Sequence, residues 1–444
     1  ALAALSVLGI PFLTAMGLTA AATVAITVLV AVTLVPATLA VLGDRIDKGS
    51  IGFLTRRHSA AAELETGGPA KRNMGERWGH LVTAKPWITI GAVVLVCAAV
   101  ALPVRNLALG LPDDGTKSTS TTERRAYDLL TDGFGEGFNG PLTLVLSTPG
   151  KTNALEVATQ AKKLLATTED VAAVGQPAPN KAGDVAILSV TPESGPSSEA
   201  TKALVTKIRA AAGEARAQNA GVDAYVTGQT AVNIDVSTKL ADALPVFLAV
   251  IVGLALLLLI LVFRSILVPI KAVAGFLLSI GASMGMVVWV FQEGHLGSLF
   301  NVETPGPVLS FLPVLLIGIL FGLAMDYEVF LVSRIREDYL HTGDPSSSIT
   351  AGMHHSARVV TAAGLIMLAV FGSFILGEDP ITKSIGLALA IGVFVDAFLV
   401  RMTLVPAVLQ LLGHRAWSLP GWLDKRLPDL DIEGTKLENR LTST

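Results

Sequence analysis

Seven apolar runs, separated by polar segments, set the organisation of this chain: Met16 to Leu42, Ile88 to Val104, Leu244 to Phe263, Ala272 to Phe291, Val308 to Val332, Val359 to Leu376 and Ile385 to Leu412. At 1.5 Å per residue, about 20 such residues cross a hydrocarbon core of ~30 Å, so each run predicts a transmembrane helix. Ala1 to Gly9 reads as the end of one more span, followed by a tight turn over Pro11 to Ala15. Between the second and third runs the period changes. Leu142, Leu144 and Leu146 alternate with smaller or polar residues, as in a half-buried strand, and Asn153 is placed to cap an amphipathic helix over Ala154 to Ala166. Val171 to Val174 and Val185 to Val190 then predict strands, Ser198 caps a helix over Glu199 to Ala217, and Val222 to Thr227 closes the segment as a last strand. The order βαββαβ is that of a ferredoxin-like split unit.

These elements divide the chain into residues 1–43, the end of a first transmembrane repeat; 44–86, a cytoplasmic linker; 87–109, a transmembrane helix; 110–240, an extracytoplasmic α/β domain; 241–413, a five-helix bundle; and 414–444, a cytoplasmic tail. The sidedness follows the basic residues. The linker carries Arg56, Arg57, Lys71 and Arg72, as a solvated cytoplasmic loop does, and these could also touch anionic headgroups. Gln292 to Pro307 has acids but no Lys or Arg, as an outer loop should, and Arg264 and Lys271 bracket a short cytoplasmic turn. Pro245 falls in the first turn of its span, and because no breaker separates it from Asn233, one helix can run from the domain into the bilayer.

A repeat is also visible. Thr33 to Ala37 and Thr403 to Ala407 both read TLVPA, and PFLTAMGL from Pro11 parallels PITKSIGL from Pro380. Two matches at nearly one offset, roughly 370 residues, indicate a parallel duplication of which this chain is the second half. The intact protein is therefore expected to have about 770 residues, twelve spans and two outer domains, its N-terminal half being the missing partner of this one.

Composition narrows the class. With 51% hydrophobic and 16% charged residues the chain reads as a polytopic membrane protein, and a net charge of -3 gives no reason to expect nucleic acid. One cysteine, Cys97, excludes an internal disulfide framework. His354 and His355 are adjacent, so on a helix they diverge by ~100°, and no third ligand is spaced to join them. Without a phosphate loop, a nucleophilic triad or a metal cluster, no cofactor and no enzymatic reaction is expected.

The chemistry lies in charges inside the apolar runs. Asp326 falls within Val308 to Val332, where insertion of an Asp costs roughly +3 kcal/mol, so it is a proton or ion site or a group paired inside the bundle. Gly318 and Gly322 stand eight and four residues before it, on one helix face, which lets a neighbouring backbone approach and turns the acid toward protein. Tyr327 either relays a proton or hydrogen-bonds a neighbouring helix; Glu328, nearer the cytoplasm, is an interface residue or part of a proton exit path. The last span holds Asp396, one turn after Gly392, and Arg401. Five residues apart on an α-helix, these two face different ways and do not satisfy each other directly. Asp396 is either a neighbour of Asp326 or a structural interhelical bond; Arg401 either snorkels or anchors one of the two acids.

The run Gly322 to Asp338, GLAMDYEVFLVSRIRED, resembles the signature of the actinobacterial MMPL (mycobacterial membrane protein large) transporters of the resistance, nodulation and division superfamily. The resemblance implies a proton relay at Asp326 and Tyr327, a porter domain over residues 110–240, and export or outward flipping of lipids or other hydrophobic compounds across the cytoplasmic membrane, driven by the proton-motive force. Hydrophobic or lipid substrates and the surrounding membrane lipids would be its partners. Two rival readings remain open, a lipid- or sterol-sensing membrane regulator and an accessory subunit of protein export.

Overall fold

The computed structural model describes residues 2–43, 74–218, 221–424 and 426–427; the basic clusters at Arg56, Arg57, Lys71 and Arg72 and the tail after 427 lie outside them. Seven helices among the described residues are long and apolar enough to cross a membrane. In chain order the principal elements are α1 (Pro11–Leu42), α2 (Met74–Ala84), α3 (Pro86–Ala101), β1 (Leu109–Gly110), α4 (Thr122–Phe134), β2 (Leu142–Ser147), α5 (Ala154–Leu165), β3 (Val171–Val174), β4 (Ala178–Pro179), β5 (Val185–Pro192), α6 (Glu199–Gln218), β6 (Asp223–Thr227), α7 (Gln229–Phe263), α8 (Leu267–Val287), β7 (Val308–Leu309), α9 (Leu312–Thr342), α10 (Pro345–Ile375), α11 (Pro380–Phe394) and α12 (Val405–Leu412). A π-helix, Val395–Leu404, joins the last two into one span.

Several boundaries differ from the sequence reading. Pro11 to Ala15 is no turn: Pro11 occupies the first position of α1, where its missing N–H costs nothing, and the chain reverses at Gly9, whose φ of +64° suits glycine. Leu2–Leu8 before it is a 3-10 helix. Pro245 lies inside α7, which runs unbroken from the sheet domain into the bundle, as the lack of a breaker after Asn233 allows. The segment taken as linker contains α2, whose small residues let it lie against α10. A Cβ at Gly75 would come within 2.6 Å of the Ala357 methyl, and Gly79 and Val82 are buried beside it.

The domain between α3 and α7 has strands in the order β3-β5-β2-β6, all neighbours antiparallel, with β4 added against β5. Its registers place Leu144 opposite both Leu188 and Val226. One sheet face, with Leu142, Leu144, Leu146, Ala186, Leu188 and Val190, is buried against Ala154, Ala158 and Leu165 of α5 and Leu204, Val205 and Ile208 of α6. Ser198 caps α6 by accepting from the Thr201 N–H at 3.1 Å, whereas Asn153 holds the capping position of α5 without a side-chain bond. The amphipathic helix α4, also absent from the sequence reading, precedes the sheet; burial pushes its Tyr127 phenol up to about 12.

The domain is tied to the bundle at a small set of points. β1 pairs in parallel with β7, Leu109 opposite Val308, immediately before α9 begins. The hydroxyls of Ser237 on α7 and Ser310 share a buried 2.6 Å hydrogen bond, and Glu303 accepts from the Thr119 N–H at 2.8 Å.

Within the bundle α8 is the central element, packed against α3, α7, α9 and α11. Its approach to α3 depends on Gly285, where a Cβ would overlap the Val100 carbonyl and lie 2.7 Å from the Ala101 Cα. Gly285→Val is therefore expected to lower stability by about 1–3 kcal/mol, the usual cost of overpacking a tight contact. The thermal midpoint of the detergent-solubilised protein checks this; a midpoint equal to wild type would show that α3 and α8 can separate freely.

Candidate functional site

On α9 the buried residues up to Ala324 belong to one hydrophobic cluster and those from Leu331 to another; on the last span the change falls between Val393 and Val395. The charges sit at this junction. Glu328 is buried and accepts a hydrogen bond from the Lys271 ammonium of α8 at 2.6 Å, the two side chains being 2% and 7% exposed. Arg401 donates through Nε to Asp396 Oδ2 at 2.6 Å and through Nη2 to Oδ1 at 3.3 Å. It also donates to the Ala324 carbonyl of α9, and its Nη1 stands 3.8 Å from Glu328 Oε2. Arg401 thus joins the two pairs, and two cations balance two carboxylates across three helices.

The structure decides between several of the sequence expectations here. Asp396 and Arg401 do satisfy each other, because Val395–Leu404 is a π-helix, with i→i+5 bonds that bring residues five apart onto one face. Arg401 does not snorkel; it anchors Asp396. Glu328 is not at a lipid interface, and Lys271, taken as a marker of the cytoplasmic turn, lies inside the protein and was missed as a site residue. The signal available for the wide turn was Pro406. Having no N–H, it leaves the Met402 carbonyl without its helical donor, and the Trp78 indole of α2 fills that position at 2.9 Å. Proline alone is not sufficient, since the same TLVPA motif around Pro36 lies in the uninterrupted α-helix α1.

Asp326 differs from the other four charges. It is exposed, and among the described residues no hydrogen bond or ion pair within 4 Å reaches it. The glycine stripe leading to it is covered only at its outer end. A Cβ at Gly318 would touch Leu2 at 3.8 Å and Phe247 at 4.0 Å, while one at Gly322 would meet nothing within 4 Å. The expectation that this face meets a close neighbouring backbone is therefore not met among the described residues, because the short Leu2–Leu8 helix beside α9 reaches no further than Gly318. Gly392 is closely approached, by the Leu320 side chain of α9. Tyr327 is half-buried, its ring 5.6 Å from the Arg401 guanidinium carbon and its hydroxyl 3.6 Å from Met367 Sδ. Adjacent helix positions diverge by ~100°, so the two side chains leave α9 in different directions, Tyr327 toward Arg401. No group of three or more His, Cys, Asp or Glu among the described residues could hold a metal ion.

A sequence model described as the MMPL family matches residues 1–88 and 126–428. The chain is 47% identical over 442 residues to membrane protein YdfJ of Bacillus subtilis, covering 99% of this chain and 58% of that protein. It is 31% identical to the mycolic acid-containing lipids exporter MmpL11 of Mycolicibacterium smegmatis, covering 95% of this chain and 44% of that one. The heme uptake protein MmpL11 of Mycobacterium tuberculosis is 32% identical, with 95% and 43% covered. The chain spans about half the length of these relatives.

Removing one partner of a buried pair leaves an uncompensated charge, at a cost of about 3–5 kcal/mol, whereas replacing both partners is close to neutral. Lys271→Met and Glu328→Gln are each expected to lower the thermal midpoint strongly, and the double variant to recover most of the loss. Additive losses in the double variant would mean that the two side chains act independently.

Proposed function

The chain belongs to the MMPL family, and from that premise we propose that it forms the second half of a proton-driven transporter that exports or flips lipids or other hydrophobic compounds across the cytoplasmic membrane. The observation that carries this reading is the contrast between four mutually neutralised charges and one unpaired acid, Asp326, on a membrane-spanning helix. A charge at that depth is costly without a partner, and taking up a proton removes it. Asp326 is the proton carrier in this reading and Tyr327 the link to the buried charges. Glu328, Asp396, Arg401 and Lys271 are positioning residues that fix α9 against α8 and the last span. An inward proton gradient supplies ~2.3 kcal/mol per charge per 100 mV, plus its pH term, to shift the population between two helix arrangements.

In this scheme the ferredoxin-like domain is the porter domain and lies outside, a sidedness supported by the acidic loop beside it. Movement of α9 would reach it through β7 and Ser310, which stand at the outer end of the Asp326 helix. The relatives' greater length supports reading the open Gly322 and Asp326 stripe as the face on which the other half of the intact protein packs, in a parallel pseudo-twofold. A counterpart acid is expected there, so that the two sites share or alternate a proton. The names of the relatives, an exporter of mycolic acid-containing lipids and a heme uptake protein, support a hydrophobic or amphiphilic cargo, with both export and uptake represented.

The test uses the full-length protein in proteoliposomes. Asp326→Asn keeps the side-chain size and removes titration, so gradient-dependent transport is expected to fall to background at normal expression. Retained proton-coupled transport would exclude Asp326 as an obligatory carrier. A wild-type protein that moves no amphiphile under any gradient would instead favour the regulatory reading.

A further inference from the structure

A cleft of about 550 Å³ opens at the outer end of the bundle, between the chain leaving α3, the loop before α9 and the first turn of α11. Val287, Phe291, Val308, Leu309 and Ile381 supply apolar lining. Lys383, only 3% exposed, supplies a buried cation. An ammonium has three donors, and among the described residues that of Lys383 makes one hydrogen bond, 3.1 Å to the Asn301 carbonyl. Among the described residues no ion pair within 4 Å offsets its charge, in contrast to Lys271, whose burial is matched by Glu328.

Among the described residues, none of the acids lining the cleft pairs with Lys383 within 4 Å. Glu303 accepts from Ser118 Oγ at 3.0 Å and the Thr119 N–H at 2.8 Å; Asp379 accepts from the Thr382 N–H at 2.8 Å and hydroxyl at 2.7 Å; Glu123 faces Lys117 at 3.7 Å. Glu378 is exposed at the rim. A buried cation with unused donors is costly unless an anion completes it. The volume is in the range of small-molecule sites, and apolar lining beside a buried, unpaired cation suits an amphiphile, with Lys117 a second, partly exposed cation of the lining.

We propose that this cleft binds the anionic head of an amphiphile, with Lys383 holding the carboxylate or phosphate and the Phe291 side receiving the first part of the chain. The choice of an amphiphile rests on the transport reading above, whereas the requirement for an anion rests on Lys383 alone. The two sources of negative charge, a fatty-acid carboxylate and a phospholipid phosphate, are separable by experiment.

Native mass spectrometry of the full-length protein in a neutral maltoside detergent, titrated with oleate, lyso-phosphatidylglycerol or uncharged monoolein, reads binding without any gradient. Wild type is expected to bind at least one of the two anionic probes, the preferred one identifying the head group. Lys383→Met should weaken that binding by about tenfold or more, as expected for loss of a charge-assisted contact, leave monoolein unaffected, and be rescued by Lys383→Arg. Unchanged affinity in Lys383→Met, an equal loss for monoolein, or no binding of either anion by wild type would overturn the proposal. If Lys383→Met does not fold, Ile381→Trp narrows the same cleft; it should reduce binding of the anionic probe, and unaltered affinity would again overturn it. Because binding needs no gradient, failure here leaves the Asp326 transport result standing, and the reverse also holds.

Discussion

The structure depends on a charge balance inside a low-dielectric bundle. Lys271, Glu328, Arg401 and Asp396 are each costly to bury alone, and each is tolerable only because the others are held within hydrogen-bond or ion-pair distance. The constraint is geometric as well as electrostatic. A planar guanidinium reaching Asp396 through two nitrogens and the Ala324 backbone through one of them permits little sliding between the last span and α9. Lys271 fixes α8 to the same level. Three helices are thereby held in register at the depth where Asp326 sits, and the surrounding hydrophobic clusters have only to fill space.

The spans were legible because a bilayer imposes a length and a polarity that few other environments demand, and uncharged runs such as Leu244 to Phe263 admit no other reading. The strands around Leu144 and Leu188 were legible for a similar reason: one face of a sheet is buried and the alternation records it. What escaped was whatever required a departure from the ideal period. Asp396 and Arg401 look divergent on an α-helix and coincide on a π-helix, and the one local signal of the wider turn, Pro406, is not decisive, since Pro36 in the same motif leaves α1 uninterrupted. Lys271 escaped because basic residues near a span end are ordinarily read as topology markers, while its partner lies 57 residues away in sequence. The helix α2 escaped because its buried face is made by glycines, which carry little hydrophobic signal.

The cover of the Gly322 and Asp326 face belongs to a different category. Spacing can show that small residues and an acid share a stripe, but whether anything lies on that stripe depends on which helix is next to it, a tertiary fact. Leu2 reaches Gly318 and no described residue reaches Gly322. The acid with the strongest sequence signal thus has no hydrogen bond or ion pair among the described residues, whereas Glu328, two residues on, is held by Lys271 and Arg401.

The wide turn of the last span has one more consequence. Relative to an α-helix, a π-turn accommodates an extra residue, and such an extra residue can pass along a helix without unfolding it. If it moved past Arg401, the side chains between its old and new positions would rotate by ~100° about the axis, and the Asp396–Arg401 pair would come apart without any sliding of the helix. Trp78, bonded to the Met402 carbonyl from α2, acts on that view as a pawl: it holds the displaced backbone group from outside the span. The last span would then work as a rotary element with a one-residue step, its position reported to the short helix at the edge of the bundle.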